Sequence, residues 1–242
     1  SKDDSVEDIT IDRSDNIYIA GYTSSTDFPI TLDALQGPKG LFDAVIVKFS
    51  PEMKIEYSTY IGGSDYDFCY GIHSIGDTIC ITGSTNSTDF PVTVGAYSRT
   101  KKGGSDIFIK CVNSTGDLIY SSYIAGSKDD IGYDITTDQI GNIYVTGATS
   151  SEDFPVTVDA YQKTIGGQDA FIIKLHPSNG LKYSTYFGGT GIDEGRGIKV
   201  DNLGSIYVTG ITRSQNFPVT VNAYKYNISG LNDAFLSILR NF

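Results

Sequence analysis

The sequence predicts an all-β fold, a β-propeller of four repeats with four antiparallel strands in each, and two observations carry it. The first is a phrase written four times: DFPITLDALQ from 27, DFPVTVGAYS from 89, DFPVTVDAYQ from 153 and NFPVTVNAYK from 216. Its phenylalanines, Phe28, Phe90, Phe154 and Phe217, stand 62, 64 and 63 residues apart. A fixed period this long, with strand-like segments inside it, marks a blade-forming repeat. The second is composition. The 242 residues include 17 Tyr and 12 Phe, no Trp and one Met. With abundant Gly, Thr, Val and Ile, such a chain favours sheets.

The unit at 127–189 shows the elements in order. GYDITTD (132–138) is a first strand, and QIGN turns the chain. IYVTGAT (143–149) is the second strand, followed by the long DFPVTVDAYQKTIGGQ excursion. DAFIIKL (169–175) is the third, HPSNG the next turn, and LKYSTYFGG (181–189) the fourth. Alternating β-branched and aromatic residues bounded by Gly, Asn, Asp and Pro support each strand. Repeats at about 1–63, 64–126, 127–189 and 190–242 make one domain spanning 1–242, with four blades closing a ring. The fourth repeat contains no outermost strand, so fifteen strands are expected. DAFLSIL (233–239) becomes an uncovered edge whose one charge is Asp233, and a strand from another subunit or another part of the polypeptide is expected to cover it.

IYVTG, then TSSxDFP, an AYQ, GGxDAFIIKL and YSTYFGG together resemble the SBBP family of β-propeller repeats across essentially all of the chain. The strand order also resembles the NHL repeat, whose first strand is innermost. The SBBP resemblance implies a scaffold at a bacterial or archaeal surface, or a secreted one, and it implies no reaction.

Within the repeated phrase, Pro fixes φ and holds the preceding Phe extended. The four phenylalanines are expected to plug the space between adjacent blades. Strict repetition is what architecture requires, so function is sought where copies carry charge or vary.

The clearest charge cluster lies between each fourth strand and the next first strand, as SKDD, SDYD, SKDD and TGIDE. Asp4, Asp67, Asp130 and Asp193 are equivalent there, and a ring of them would suit a hard cation such as Ca²⁺. The plainer expectation is that each accepts backbone N–H bonds in its own turn. Asp8 and Thr10, or Asp134 and Thr136, alternate with Gly71 and His73, or Gly197 and Lys199; each Gly is read as making room for a basic side chain that reaches an acid on the next blade. Arg99, Lys101 and Lys102 form a basic patch, read as a solvated loop tip or a contact for an acidic partner. Asn86, Asn113 and Asn227 begin N-glycosylation triplets. Cys80 and Cys111 are expected close together, as two buried thiols before a disulfide, and Cys69 unpaired. Tyr57, Tyr60, Tyr120, Tyr123, Tyr183 and Tyr186 recur in the YSTY strands, where packing is favoured over sugar stacking.

Twenty-nine acidic against 18 basic side chains give a formal charge of −11, which repels phosphate backbones and anionic lipid. No apolar run is long enough to span a bilayer. His73 and His176 are the two histidines, and they fit no catalytic triad or zinc spacing. The expectation is a non-enzymatic extracellular scaffold, a structural or adhesive module of a surface, sheath or filament assembly, with no required cofactor. The second class is a glycan- or calcium-binding propeller, or a carbohydrate-active one, using its acidic loops.

Overall fold

A computed structural model describes residues 2–240, and among them the chain forms fifteen strands and no helix. The first sheet holds β1 (Asp4–Ile11), β2 (Ile17–Thr23), β3 (Asp43–Phe49) and β4 (Ile55–Ile61). The second holds β5 (Asp67–Ile75), β6 (Thr78–Thr85), β7 (Asp106–Asn113) and β8 (Leu118–Ile124). The third holds β9 (Asp130–Thr137), β10 (Ile143–Thr149), β11 (Asp169–His176) and β12 (Gly180–Phe187). The fourth has three: β13 (Asp193–Val200), β14 (Ile206–Thr212) and β15 (Asp233–Leu239). Every sheet is an antiparallel meander in sequence order, the blade of a β-propeller, and the last blade lacks its outermost strand.

Two compact units divide these blades: Ser1–Lys101 with Ser105–Ile124, and Lys102–Gly104 with Ala125–Phe242. In the first, Tyr18, Ala20 and Ile46 of blade one pack against Ile72 and Ile81 of blade two. In the second, Tyr144, Ala170 and Ile172 of blade three pack against Ile198 and Val208 of blade four.

Each first strand carries a bulge at which the register skips one residue: Glu7, Tyr70, Tyr133 and Arg196. There the strand kinks across its neighbour, over the Gly of the IYVTG motif. A Cβ on Gly147 would lie 1.9 Å from the Ile131 carbonyl oxygen, and one on Gly83 would lie 1.8 Å from that of Phe68. The motif's Gly is therefore a consequence of the bulge.

Bulge geometry gives the acids next to Gly71 and Gly197 a backbone donor on the following blade. The Asp8 carboxylate reaches from blade one to accept the Ile72 amide of blade two at 2.8 Å. Asp134 likewise accepts the Ile198 amide at 2.7 Å. The acid satisfies a backbone donor beside the Gly, while Lys199 is exposed. A charge-assisted bond to an amide needs no basic partner.

Candidate functional site

The four equivalent aspartates each accept hydrogen bonds from their own connections. Asp67 is fully buried and accepts the Gly63 amide at 2.7 Å and the Ser87 hydroxyl at 2.8 Å. Asp130 takes Gly126 and Ser151, both at 2.8 Å, together with the Thr149 hydroxyl. Asp193 takes Gly189 at 2.7 Å and Ser214 at 2.6 Å, and Asp4 takes the Thr23 hydroxyl. Asp67, Asp130 and Asp193 thus each tie the Gly that precedes their own first strand to the segment after their second strand, while Asp4 bonds within its own blade. Among the described residues, no three His, Cys, Asp or Glu side chains gather as a metal ion would need.

Burial pushes the Asp67 carboxyl up to about 6 and outweighs its hydrogen bonds. Burial does the same to Asp169, also to about 6, with Asp193 adding repulsion. The unfolded value is 3.8, so between pH 4 and 6 the folded chain holds protons that the unfolded chain releases. Stability therefore falls as pH rises through that window. Urea midpoints are expected to be higher at pH 5 than at pH 7, by roughly 1–3 kcal/mol in free energy. A midpoint that rises from pH 5 to pH 7 would contradict this.

The basic patch does not stay together at the surface. Lys101 is turned inward, 8% exposed, with its ammonium 4.0 Å from the buried Asp106 carboxylate. Arg99 and Lys102 are exposed. Asp106 opens a third strand, where Asp43 accepts the Lys39 and Gly40 amides and Asp169 accepts those of Gly166 and Gly167. Lys101 thus lies beside the acid that opens the third strand of its own blade. Of the sequon asparagines, Asn227 is exposed and Asn86 half-buried. The Asn113 side-chain amide is already committed, donating to Asp117 at 2.9 Å within its turn. Cys80 and Cys111 lie directly opposite on β6 and β7 and form a disulfide, in place of the expected pair of thiols. Cys69 is free and buried, and burial raises its thiol pKa.

A further buried cation was not singled out from sequence. Lys110 on β7 is 2% exposed, with its Nζ 5.6 Å from the Phe90 ring centre. Burial first, then Lys39, lowers its pKa to about 8. Val47 and Ile173 occupy the same register position, opposite Ser58 and Ser184 as Lys110 is opposite Ser121. Replacing the ammonium by the residue its counterparts use, Lys110→Ile, is expected to raise stability at pH 7 by roughly 1–3 kcal/mol. The gain should shrink as pH rises from 8 towards 10.5, where the folded lysine is already neutral. Paired urea melts at pH 7 and 9.5 check both statements; a destabilised variant contradicts them.

The repeated phrase itself is a latch. In blade two, Asp89 accepts the Ser64 amide at 2.7 Å and its hydroxyl at 3.0 Å, clamping the connection between blades. Asp153 and Asn216 hold Ser127 and Thr190 in the same way. Phe90 stacks on Phe108 with ring centres 4.7 Å apart, and Phe154 lies 5.0 Å from Phe171. Both rings pack on their own third strand, and Phe90 also belongs to the buried cluster that blade one shares with blade two. Phe217 lies 4.6 Å from Phe235 and 5.3 Å from Phe187 of the preceding blade.

The rest of the phrase grips the fourth strand. The Pro91 carbonyl accepts the Ser121 hydroxyl at 2.6 Å, and the Thr93 hydroxyl accepts the Ser121 amide at 3.2 Å. The Tyr123 hydroxyl receives the Phe90 amide at 3.0 Å and donates to the Ser87 carbonyl at 2.8 Å. The Tyr120 hydroxyl receives the Tyr97 amide at 3.2 Å. Blade one repeats the grip with Pro29, Thr31, Ser58 and Tyr60, and blade three with Thr157, Ser184, Tyr183 and Tyr186. All six recurring tyrosines are at most 4% exposed, so they pack as expected and offer sugars no face.

Blade four keeps the phrase as NFPVTVNAYK but has no fourth strand beside it. In its place a groove of about 720 Å³ runs along β15, lined by Phe217, Pro218, Thr220, Tyr224 and the strand itself.

One more surface belongs to the first unit. Tyr66, Phe68 and Tyr70 point from the same side of the chain, with successive ring centres 6.1 and 6.3 Å apart and planes within 19° and 18°. Phe42 stacks on Tyr66 at 5.9 Å, and Tyr22 meets Phe68 edge-on at 4.8 Å. All are half-buried except Tyr66, which is 37% exposed. The repeat does not require them: register puts Ser84, Ala148 and Ile211 where blade one has Tyr22. The sequence signal was available, as aromatic residues at positions the other copies leave small or aliphatic.

Among the described residues no helix is long and apolar enough to cross a membrane. A search of curated proteins finds no match. The family model described as SBBP, beta-propeller repeat, matches residues 1–29, 119–155 and 182–218. The last two of these segments run from a YSSY or YSTY fourth strand to the Pro of the next blade's latch phrase. These three segments are similar to SBBP beta-propeller repeats, and the chain's antiparallel sheets are the blades of a β-propeller.

Proposed function

We propose that the chain is a non-enzymatic extracellular scaffold of a larger surface assembly, whose fourth blade takes a strand supplied from outside residues 2–240. The observation that carries this is the three-stranded fourth sheet, whose outer edge β15 presents DAFLSIL beside an open groove. An unpaired edge of that composition is a template for another strand. The Cys80–Cys111 disulfide supports an oxidising compartment. The carboxylates that suggested chemistry or calcium hold blade connections, and this supports a structural role.

Cross-linking mass spectrometry on native surface material tests the reading, because Lys225 lies beside β15 and bonds Asp233 at 2.7 Å. Cross-links from Lys225 to another polypeptide are expected. Recovery as an unattached monomer, or turnover of a surface glycan, would overturn it.

The aromatic row of blades one and two favours a second reading, glycan binding at Tyr66, Phe68 and Tyr70, since partly exposed rings stack on sugar faces. Affinity electrophoresis in surface polysaccharides should show retardation that Phe68→Ala abolishes; equal mobility of both proteins in every polysaccharide sinks it.

A further inference from the structure

We infer that the groove beside β15 is a receptor for one kind of strand, an extended segment reading Tyr-Ser-(Ser/Thr)-Tyr, supplied from outside residues 2–240. The inference rests on the assembly reading above and gives its partner a sequence.

Three filled copies of the receptor are present. Their occupants read YSTY in blades one and three and YSSY in blade two. In each, the Ser amide donates to the Thr of the latch, and the Ser carbonyl accepts that Thr's amide at 3.0–3.1 Å. In blades one and two the Ser hydroxyl also donates to the Pro carbonyl at 2.6 Å. The third residue takes a loop amide on its hydroxyl: Gln36 on Thr59, Ser98 on Ser122 and Gln162 on Thr185. The second Tyr fits under the second-strand connection and sits opposite Val45, Phe108 or Phe171.

Blade four presents the same groups unfilled. Pro218 and Thr220 stand for the Ser bracket, Lys225 for the third-residue donor, and Ser214 with Phe217 for the second Tyr. Register puts Phe235 opposite that incoming Tyr, as Phe171 is opposite Tyr186. The pair Phe154–Phe171 is buried under its fourth strand, while Phe217 and Phe235, with the same ring contact, are half-exposed.

Each requirement excludes other sequences. A side chain larger than Ser at the second position meets the Pro218 carbonyl, and a residue other than Tyr at the fourth leaves the Ser214 carbonyl without its hydroxyl. A second copy of the chain is a poor donor, because its YSTY strands already lie in sheets; a free segment of that sequence is the fitting occupant.

The experiment titrates the folded chain with a capped peptide, GLKYSTYFGG, copied from 180–189. Saturable binding is expected, weakened tenfold or more when the peptide Ser becomes Val or its second Tyr becomes Phe. Thr220→Val in the protein should weaken it as much, while the exposed substitution Lys199→Ala leaves it unchanged. A second arm fuses the same segment after Phe242 through the turn SPSN, and the melting temperature should rise less when that Ser is Val. Equal binding of a scrambled peptide overturns the inference. So does failure of the peptide to bind up to about 1 mM together with a fusion that melts like its Val control. If YSTY binds but native material is monomeric, the assembly reading fails alone; if native assemblies form through other surfaces and YSTY does not bind, the sequence inference fails alone.

Discussion

Gly147→Ala is expected to unfold blade three or to leave the chain insoluble, at a cost above about 4 kcal/mol. The added Cβ would sit 1.9 Å from the Ile131 oxygen and 2.9 Å from a Phe171 ring carbon. Backbone at that distance cannot be avoided by a rotamer change. Relief would require β9 to lift off β10 at its bulge, which breaks the ladder around the Thr146–Asp134 and Gly147–Gly132 pairs. It would also draw Asp134 away from the Ile198 amide that joins blade three to blade four. Gly95→Ala supplies the control, because nothing lies within 4 Å of its missing Cβ. Soluble yield and urea midpoints of the two variants decide the matter. A Gly147→Ala protein as stable as the control would show that the bulge is not tightly packed.

Tyr123→Phe is expected to cost roughly 2–4 kcal/mol, more than a lone buried hydroxyl usually does. The hydroxyl removed is buried and serves two backbone groups at once, the Phe90 amide and the Ser87 carbonyl. Both are then left with little access to water, and the Phe90 ring is freed from the strand it overlies. Tyr60→Phe breaks the same grip where Phe28 is half-buried, so water can replace part of the loss and the effect should be smaller. The order of the two effects is the test. Equal losses, or a Tyr123→Phe loss below about 0.5 kcal/mol, would mean that the latch contributes little.

Blade order, strand positions and the missing sixteenth strand were legible because hydrophobic alternation and turn residues are local signals, repeated four times. GYDITTD and DAFIIKL fall on β9 and β11 within two residues at each end. The carboxylates were legible only as a cluster. Sequence shows that Asp67, Asp130 and Asp193 are equivalent, but whether they face a cation or an amide depends on where Gly63, Gly126 and Gly189 place their N–H groups. For Asp8 and Asp134 the charge pattern pointed to His73 and Lys199, and a backbone donor on the following blade was not legible because it depends on the bulge. Lys101 reads as a solvated lysine until Asp106 is seen to be buried beside it. The latch phrase was recognised as architectural, yet its receptor character lay in contacts between Pro-x-Thr and a strand roughly thirty residues on. The aromatic row carries no repeat signal, because Tyr22, Phe42 and Phe68 have no aromatic counterparts in the other copies.

Amide hydrogen exchange along the four third strands tests most directly whether blade four carries an open edge that accepts a strand. In β3, β7 and β11 the amides are paired on both sides, with the second and fourth strands. In β15 the alternate amides that do not bond β14 have no strand beside them. Those amides should exchange about 100-fold faster or more than their counterparts in β11, and fall to the β11 rate once a YSTY segment is bound. Uniform protection along 233–239 in the unliganded monomer would contradict the account.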